Sequence, residues 1–416
     1  MFFVYRILIN LVFILSPIIF FYRIIKKKED IYRFKEKLCF FSKKKIKGNT
    51  VWFHGASVGE VLSIVPMIEK LEKNKKINQI LVTTNTLSSS KILTKLKLKK
   101  TIHQFFPIDT NYHTRKFLNY WNPSIALFVD SEIWPNMITN INKKKISLIL
   151  INARITKKTF YRWIKFPQFA KNLFNKFDAC YAASSESKKY LKKLGAKNIL
   201  NIGNLKFTQI KGNNDTLNKN LKKILFSRKI WCASSTHNSE EIICAITHRE
   251  LKKKYKNLLT IIIPRHINRT SNIISELKKY DLKVCTHSSS QKIDKDTDIY
   301  LVDSYGETKL FYKICKIIFL GGSLIKHGGQ NPLEPAMYGC KTLHGPNIWN
   351  FKEIYGLLHK NNISKKVKNS KELVSEIHYF FNNKDNYKNI KQKIKKIGDK
   401  VLNSTLKEVT LFINKK

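Results

Sequence analysis

Glu60 closes the segment Val51-Trp-Phe-His-Gly-Ala-Ser-Val-Gly-Glu60, in which Ser57, Gly59 and Glu60 follow a short apolar run. If that run is a parallel strand, these residues fall in the loop at its carboxyl end, where open α/β sheets bind ligands. A carboxylate there can act as a general base once a substrate hydroxyl comes within hydrogen-bond reach. It can equally be a first-turn residue held by a helix dipole. Gly55 and Gly59 leave room beside it for a substrate. A second acidic pair follows the next such run but one, in Phe128-Val-Asp130-Ser-Glu132-Ile-Trp134-Pro135-Asn136. Like charges two residues apart are costly without a cation nearby. Arg154 in Asn152-Ala-Arg154 and Lys206 in Gly203-Asn204-Leu-Lys206-Phe are the available partners. The plainer alternative is an ion pair that braces loops on one edge of the sheet.

The second half carries a different chemistry. Between Phe319 and Cys340 the chain reads FLGGSLIKHGGQNPLEPAMYGC. Gly321, Gly322, Gly328 and Gly329 allow close backbone approach to a ligand, and Pro332 and Pro335 suit a first helical turn. A helix start attracts phosphate, and Glu334 beside it could accept hydrogen bonds from a ribose diol. The same residues also fit a glycine-rich turn between two core elements. Ser234-Ser-Thr-His237 ahead of Glu240-Glu241 reads as a capped helix start with hydroxyls free for a phosphate. Arg265 of Pro264-Arg265-His266 offers a fork of donors to a phosphate, or is a surface cation. Asp303-Ser-Tyr305-Gly306-Glu307 offers backbone groups and a carboxylate to a base or ribose. Asp294, Asp296 and Asp298 alternate in a lysine-containing loop that reads as a solvated turn.

These segments need strands to hold them. Apolar runs at 50–54, 79–83, 125–129, 146–151 and 179–182 alternate with helical stretches, and the pattern restarts at 229–232, 258–263, 282–285, 299–302 and 317–320. Strands separated by helices predict parallel sheets built from βαβ units. The polar stretch 210–216 is the predicted linker. Two doubly wound halves facing a cleft follow: residues 26–210 as one Rossmann-like domain, and 211–416 as the other, with the helical tail.

The length of 416 residues accommodates two such cores. A net charge of +49, from 78 basic and 29 acidic side chains, invites a nucleic-acid reading. The lysines are spread along the chain, however, with no arginine-rich arm or zinc-finger spacing, so no nucleic-acid partner is expected. What remains is a preference for anionic partners. Seven scattered cysteines without a Cys-x-x-Cys pair argue against a metal cage or disulfide framework and for reduced, mostly buried thiols. Residues 1–25 are strongly apolar, interrupted by Arg6, Asn10, Ser16, Pro17 and Arg23, and followed by Lys26-Lys27-Lys28. No small-residue cleavage site follows. This segment is expected to be a membrane-anchor helix, spanning the bilayer or lying in its interface, with the lysines on the cytoplasmic side.

Taken in order, the motifs resemble the Kdo (3-deoxy-D-manno-octulosonic acid) transferases of lipid A and lipopolysaccharide core synthesis, which are membrane-associated glycosyltransferases of GT-B fold. The resemblance rests on SVGE (Ser57–Glu60), DSEIWPN (Asp130–Asn136), NAR (Asn152–Arg154), GNLKF (Gly203–Phe207), STH (Ser235–His237), PRH (Pro264–His266), YGE (Tyr305–Glu307), GGSL (Gly321–Leu324), GGQNPLEP (Gly328–Pro335) and GPNIWNF (Gly345–Phe351). It implies inverting, metal-independent transfer of Kdo from CMP-Kdo to a lipid A precursor (lipid IVA), without a cofactor. Glu60 would be the base, with Asp130 and Lys206 supporting the transition state. Pro264, Arg265, Tyr305, Gly306, Glu307, Asn331, Pro332, Leu333 and Glu334 would contact CMP. It further implies an inner-membrane location, with the catalytic domains on the cytoplasmic face and inner-membrane lipids as partners. The chain departs from the family pattern at Asp130, where a glutamate is usual, and at Thr208, Tyr305 and Gln330.

Overall fold

The computed structural model describes residues 1–96, 98–208, 217–289, 293–383, 387 and 389–414. The predicted linker 210–216 lies outside them. Two compact units divide the chain: Met1–Gln209 with Ile397–Lys416, and Ile210–Lys396.

The first unit is a seven-stranded parallel sheet. Its strands are β1 (Thr50–His54), β2 (Gln79–Thr84), β3 (Thr101–Phe105), β4 (Ile125–Val129), β5 (Ser147–Ala153), β6 (Ala179–Ala182) and β7 (Ile199–Asn201), in the order β3-β2-β1-β4-β5-β6-β7. Alternation along β1 feeds two cores: Trp52 packs on one face with Phe117, Trp121 and Phe128, while Val51 and Phe53 pack on the other with Ile64, Ile68 and Leu127. Both faces are covered by helices, which is why these strands read as unbroken apolar runs. The order reverses between β1 and β4, so the loops after those two strands diverge and leave a crevice at the switch point.

The second unit repeats the plan with β8 (Lys229–Thr236), β9 (Leu258–Pro264), β10 (Val284–Thr286), β11 (Ile299–Leu301), β12 (Ile317–Leu320), β13 (Lys341–His344) and β14 (Ser364–Lys366), in the order β10-β11-β9-β8-β12-β13-β14. All of its pairings are parallel. Its switch point lies between β8 and β12. All seven cysteines are buried as free thiols.

Two expectations are corrected. The C-terminal helix Ile390–Asn414 does not belong wholly to the second domain, because from Ile397 onward it packs on the first. Val401, Leu402, Val409 and Ile413 form an i, i+4-type stripe buried in the first unit's core. The apolar N-terminus is not one helix either. Phe2–Ile14 and Ser16–Ile25 are bent by 53° at a break, and among the described residues no single helix is long and apolar enough to cross a membrane. The break precedes Pro17, at the start of the second helix, where the missing N–H and the bulk of the ring interrupt a continuous ladder.

Candidate active site

The first unit places Glu60 after the carboxyl end of β1, Asp130 and Glu132 after that of β4, and Asn152 at that of β5. Glu60 is the third residue of the helix Val58–Leu71 and forms a capping box with Ser57: its carboxylate accepts from Ala56 N at 2.7 Å and Ser57 N at 3.3 Å, and Ser57 Oγ accepts from Glu60 N at 3.3 Å. The first-turn role weighed from sequence is therefore one that Glu60 fills. Burial, then the negative charges of Glu132 and Asp130, push the Glu60 carboxyl up, against the pull of the Ser57 hydrogen bonds.

Asp130 does not continue β4. It takes a left-handed conformation, φ 57°, as does Asn152 at φ 51°, a region that Asp and Asn tolerate better than most side chains. The two turns lock together: Asn152 Nδ2 donates to Asp130 Oδ1 at 2.5 Å, and Asn152 Oδ1 accepts from Leu205 N at 2.8 Å. That second bond seats the 3-10 turn Leu205–Thr208 and brings Lys206 Nζ to 3.0 Å from Asp130 Oδ2. Lys206, one of the two cations read from sequence, is therefore paired with Asp130. Glu132 turns elsewhere, accepting from Trp134 Nε1 at 2.8 Å and lying 3.2 Å from His54 Nε2. Burial alone would raise its carboxyl, but His54 and Trp134 outweigh that and hold it below the usual range. His54 and Trp134 escaped the sequence reading. The signal for His54 was a polar residue ending a buried strand, where it is fully enclosed beside Thr83.

The second unit places its predicted residues at the carboxyl ends of four adjacent strands. Pro264 ends β9, with Arg265 exposed just after it and Arg265 N donating to Thr236 O at 3.0 Å. Tyr305 is 70% exposed, Gly306 has φ 92°, and Glu307 Oε2 lies 2.5 Å from His287 Nε2. Lys309 Nζ sits 3.6 Å from Glu334 Oε1, linking the segment after β11 to the one after β12. Asn331 Oδ1 accepts from Leu333 N at 3.1 Å, and Pro332 caps a helix, Leu333–Met337, of only 5 residues.

The glycine loop does not present its amides to a ligand as expected. Glu240, fully buried, accepts from Gly322 N at 2.6 Å, Ser323 N and Leu324 N at 3.1 Å each, and His237 N at 3.0 Å. A carboxylate of the chain's own thus fills the nest that the motif builds, and burial pushes its pKa up. Of the hydroxyls that end β8, Ser234 Oγ pairs with Tyr312 Oη at 2.7 Å, whereas Thr236 Oγ1 is buried without a hydrogen-bond partner among the described residues, and the helix Glu240–Lys254 begins without a side-chain cap. His237 is also left over: Nδ1 donates to Ser235 O at 3.0 Å, Nε2 is buried with no hydrogen-bond partner among the described residues, and the ring lies 4.2 Å from that of His327. Burial first, then His327, lower its pKa to about 4. Asp298, read as part of a solvated turn, instead braces the fold: Lys252 Nζ lies 2.9 Å away and His248 Nε2 3.2 Å away.

A family model described as 3-Deoxy-D-manno-octulosonic-acid transferase (kdotransferase) matches residues 32–209. The chain is 32% identical over 410 residues to the 3-deoxy-D-manno-octulosonic acid transferase of Rickettsia bellii, covering 96% of this chain and 97% of that protein. It is 33% identical over 313 residues to the enzyme of that name from Haemophilus influenzae, covering 74% and 73%. A crystal structure of a glycosyltransferase from Rickettsia africae superposes with TM-score 0.56 at 12% identity, over 89% of this chain and all of that one. UDP-GlcNAc 2-epimerase from Neisseria meningitidis gives 0.58 at 14%, over 88% and 100%. These last two show the fold alone, a pair of Rossmann-like units of GT-B type. On identity and extent together, this chain belongs to the 3-deoxy-D-manno-octulosonic acid transferases, a family of glycosyltransferases.

Proposed function

We propose that the protein transfers Kdo from CMP-Kdo to a lipid A precursor, lipid IVA, in lipopolysaccharide synthesis, with inversion at the anomeric carbon and without a metal or other cofactor. The observation that carries the reading is Glu60. It is a carboxylate at the carboxyl end of β1 whose proton affinity is raised by burial and by Glu132 and Asp130, in a chain with the family's motifs in the family's order. Raised in this way, it is a better base for a sugar hydroxyl than an ordinary glutamate would be.

The attacking hydroxyl gives its proton to Glu60 as its oxygen bonds the anomeric carbon, and the bond to the CMP phosphate oxygen breaks. Lys206, held by Asp130, supplies positive charge that favours an anionic acceptor and the charge separation of the transition state. Arg265, free in its side chain to reach outward, is assigned to the phosphate of CMP. Glu334, Asn331 and the 305–307 segment are assigned to its nucleoside. The apolar N-terminal helices and the basic surface are assigned to the cytoplasmic face of the inner membrane, where the lipid acceptor resides.

Product analysis by mass spectrometry after incubation with CMP-Kdo and tetraacylated lipid A precursor tests the reading. The expected result is acceptor heavier by one or more Kdo units, unaffected by EDTA. Transfer only from a UDP-sugar would overturn the donor assignment, and a folded Glu60→Gln variant with full rate would overturn the base.

A further inference from the structure

The N-terminal helices are built inside out. Four of their polar side chains face the protein while Asn10 is exposed: Tyr5 Oη donates to Asp109 Oδ2 at 2.7 Å, Arg6 Nε donates to Asn136 Oδ1 at 3.0 Å, Ser16 is buried, and Arg23 Nε lies 3.0 Å from Glu29 Oε2. Most of their apolar side chains face outward, with Phe3 75%, Ile14 68%, Ile18 70% and Phe21 67% exposed, Phe20 being buried. A helix in water buries its apolar stripe and exposes its polar one. The reverse is stable only where the surroundings are apolar.

The pair is also fastened to the first unit along its length. Phe2 meets Phe169 at 6.2 Å, Phe13 meets His113 at 4.8 Å, and Phe20 meets Phe34 at 5.5 Å. Roughly 27 Å of helix, at 1.5 Å per residue, therefore lies against folded protein. A segment held in this way cannot cross a bilayer without carrying the unit in with it.

The contact at Phe169 brings in a second element. The helices Lys157–Trp163 and Pro167–Phe174 form a hairpin whose tip exposes Tyr161 (53%), Ile164 (38%) and Phe166 (44%). Lys157, Lys158, Arg162 and Lys165 stand exposed among them. Aromatic and aliphatic side chains interleaved with cations are the composition of a membrane interface, where lysine and arginine meet anionic head groups. A watery protein partner would not explain why apolar groups and cations alternate so closely.

The two elements share one end of the sheet. Asp109 follows β3, Asn136 follows β4, and the hairpin follows β5, each at a carboxyl end, as Glu60 and Asp130 are. We propose that the N-terminal helix pair lies flat in an anionic bilayer surface together with the Lys157–Phe174 hairpin, forming one lipid-facing surface beside the carboxylate site. This rests on the membrane assignment made above and adds the hairpin, the in-plane orientation and the requirement for anionic lipid. A lipid acceptor would then reach Glu60 from the membrane side without leaving the interface.

The test is fluorescence from an environment-sensitive dye on single cysteines introduced into the full chain at Leu8, Ile164 and Leu411, the native cysteines being buried. Vesicles of phosphatidylcholine, with or without phosphatidylglycerol, carry nitroxide lipids at known depth. Dyes at 8 and 164 should shift to the blue and be quenched by shallow nitroxides on the anionic vesicles, whereas the dye at 411, an exposed position remote from the surface, should do neither. Tyr161→Ser/Ile164→Ser/Phe166→Ser, all exposed positions, should weaken vesicle binding on the order of tenfold or more. A dye at 164 that stays in water while that at 8 is quenched would remove the hairpin from the proposal. Quenching at 8 chiefly by deep nitroxides would show a spanning anchor and overturn the in-plane arrangement. Shielding of both dyes without vesicles, with doubled mass by light scattering, would assign the surface to a second copy. These readouts need no turnover, so failure of the Kdo assignment would show separately, as absence of transfer by the wild-type chain that still binds vesicles.

Discussion

Replacing Lys206 with methionine keeps the length of the side chain and removes the cation that faces Asp130. The ion pair is short, 3.0 Å, and its partners are 26% and 9% exposed in their side chains. At an effective dielectric constant near 20 the attraction at that separation is roughly 5 kcal/mol before desolvation is subtracted. Removing one partner of a buried pair typically costs about 3–5 kcal/mol, because the remaining charge is stranded. Lys206 is a quarter exposed, which screens the pair, so about 2–3 kcal/mol is expected for Lys206→Met. Asp130 would keep the amide of Asn152 as a donor, with Glu60 and Glu132 nearby to repel it. Asp130→Asn should cost less, about 1 kcal/mol, since an amide still pairs with Asn152 and the freed ammonium can turn to water. The double variant should resemble Asp130→Asn more than the sum of the two. Urea unfolding read by tryptophan fluorescence, with four of the six tryptophans in the first unit, measures all three. A cost below about 0.5 kcal/mol for Lys206→Met, or additivity in the double variant, would refute the idea that this pair carries the local structure.

Glu60→Gln should lower Kdo transfer by about 10²–10⁴-fold, the usual contribution of a general base, while CMP binding measured by calorimetry stays unchanged. Because the Glu60 carboxyl is raised above its ordinary 4.5, the acid limb of the rate profile should lie above that value, the rate falling as protonation removes the base. Glu132→Gln deletes the larger of the two neighbouring charges and should move that limb to lower pH; an unmoved limb would separate Glu60 from the titration. Glu240→Ala strands four backbone N–H groups and should both destabilise the second unit by about 3 kcal/mol or more and weaken CMP binding, read by thermal melts with and without CMP. Gly321→Ala places a methyl group 2.4 Å from Ser235 O and should act in the same direction. His103 is lowered to about 3, and His237 and His344 to about 4, all by burial first. The unfolded chain takes up protons at these sites below about pH 6.5 and the folded chain does not, so stability should drop between pH 6.5 and 4. A melting temperature constant over that interval would contradict the burial of these rings.

The residues proposed to carry the chemistry could be named from the chain because loops after parallel strands repeat short, distinctive sets. Glu60, Asp130 and Lys206 could each be picked out by type and position, as could the alternation that makes two doubly wound units. Strands buried on both faces, such as Ile125–Val129 and Ile317–Leu320, announce themselves as apolar runs. The strands at Thr101–Phe105, Ile199–Asn201, Lys341–His344 and Ser364–Lys366 did not, being short or polar, three of them at a sheet edge and the fourth next to one.

What the linear order of residues could not determine is which group satisfies which. The pairing of Lys206 with Asp130 depends on Asn152 bonding both Asp130, 22 positions before it, and Leu205, 53 positions after it. That Glu240 fills the glycine nest depends on β8 and β12 lying side by side across a switch point, which local pattern does not encode. The same holds for the last helix, whose stripe is plain in sequence but whose docking surface is not. Periodicity fixes a face, and only the assembled fold decides what that face meets. The N-terminal helices make the point most sharply. Their apolarity is written in the chain, but the turning of Tyr5, Arg6 and Arg23 toward the protein, and of the apolar side chains away from it, exists only once the sheet supplies Asp109 and Asn136.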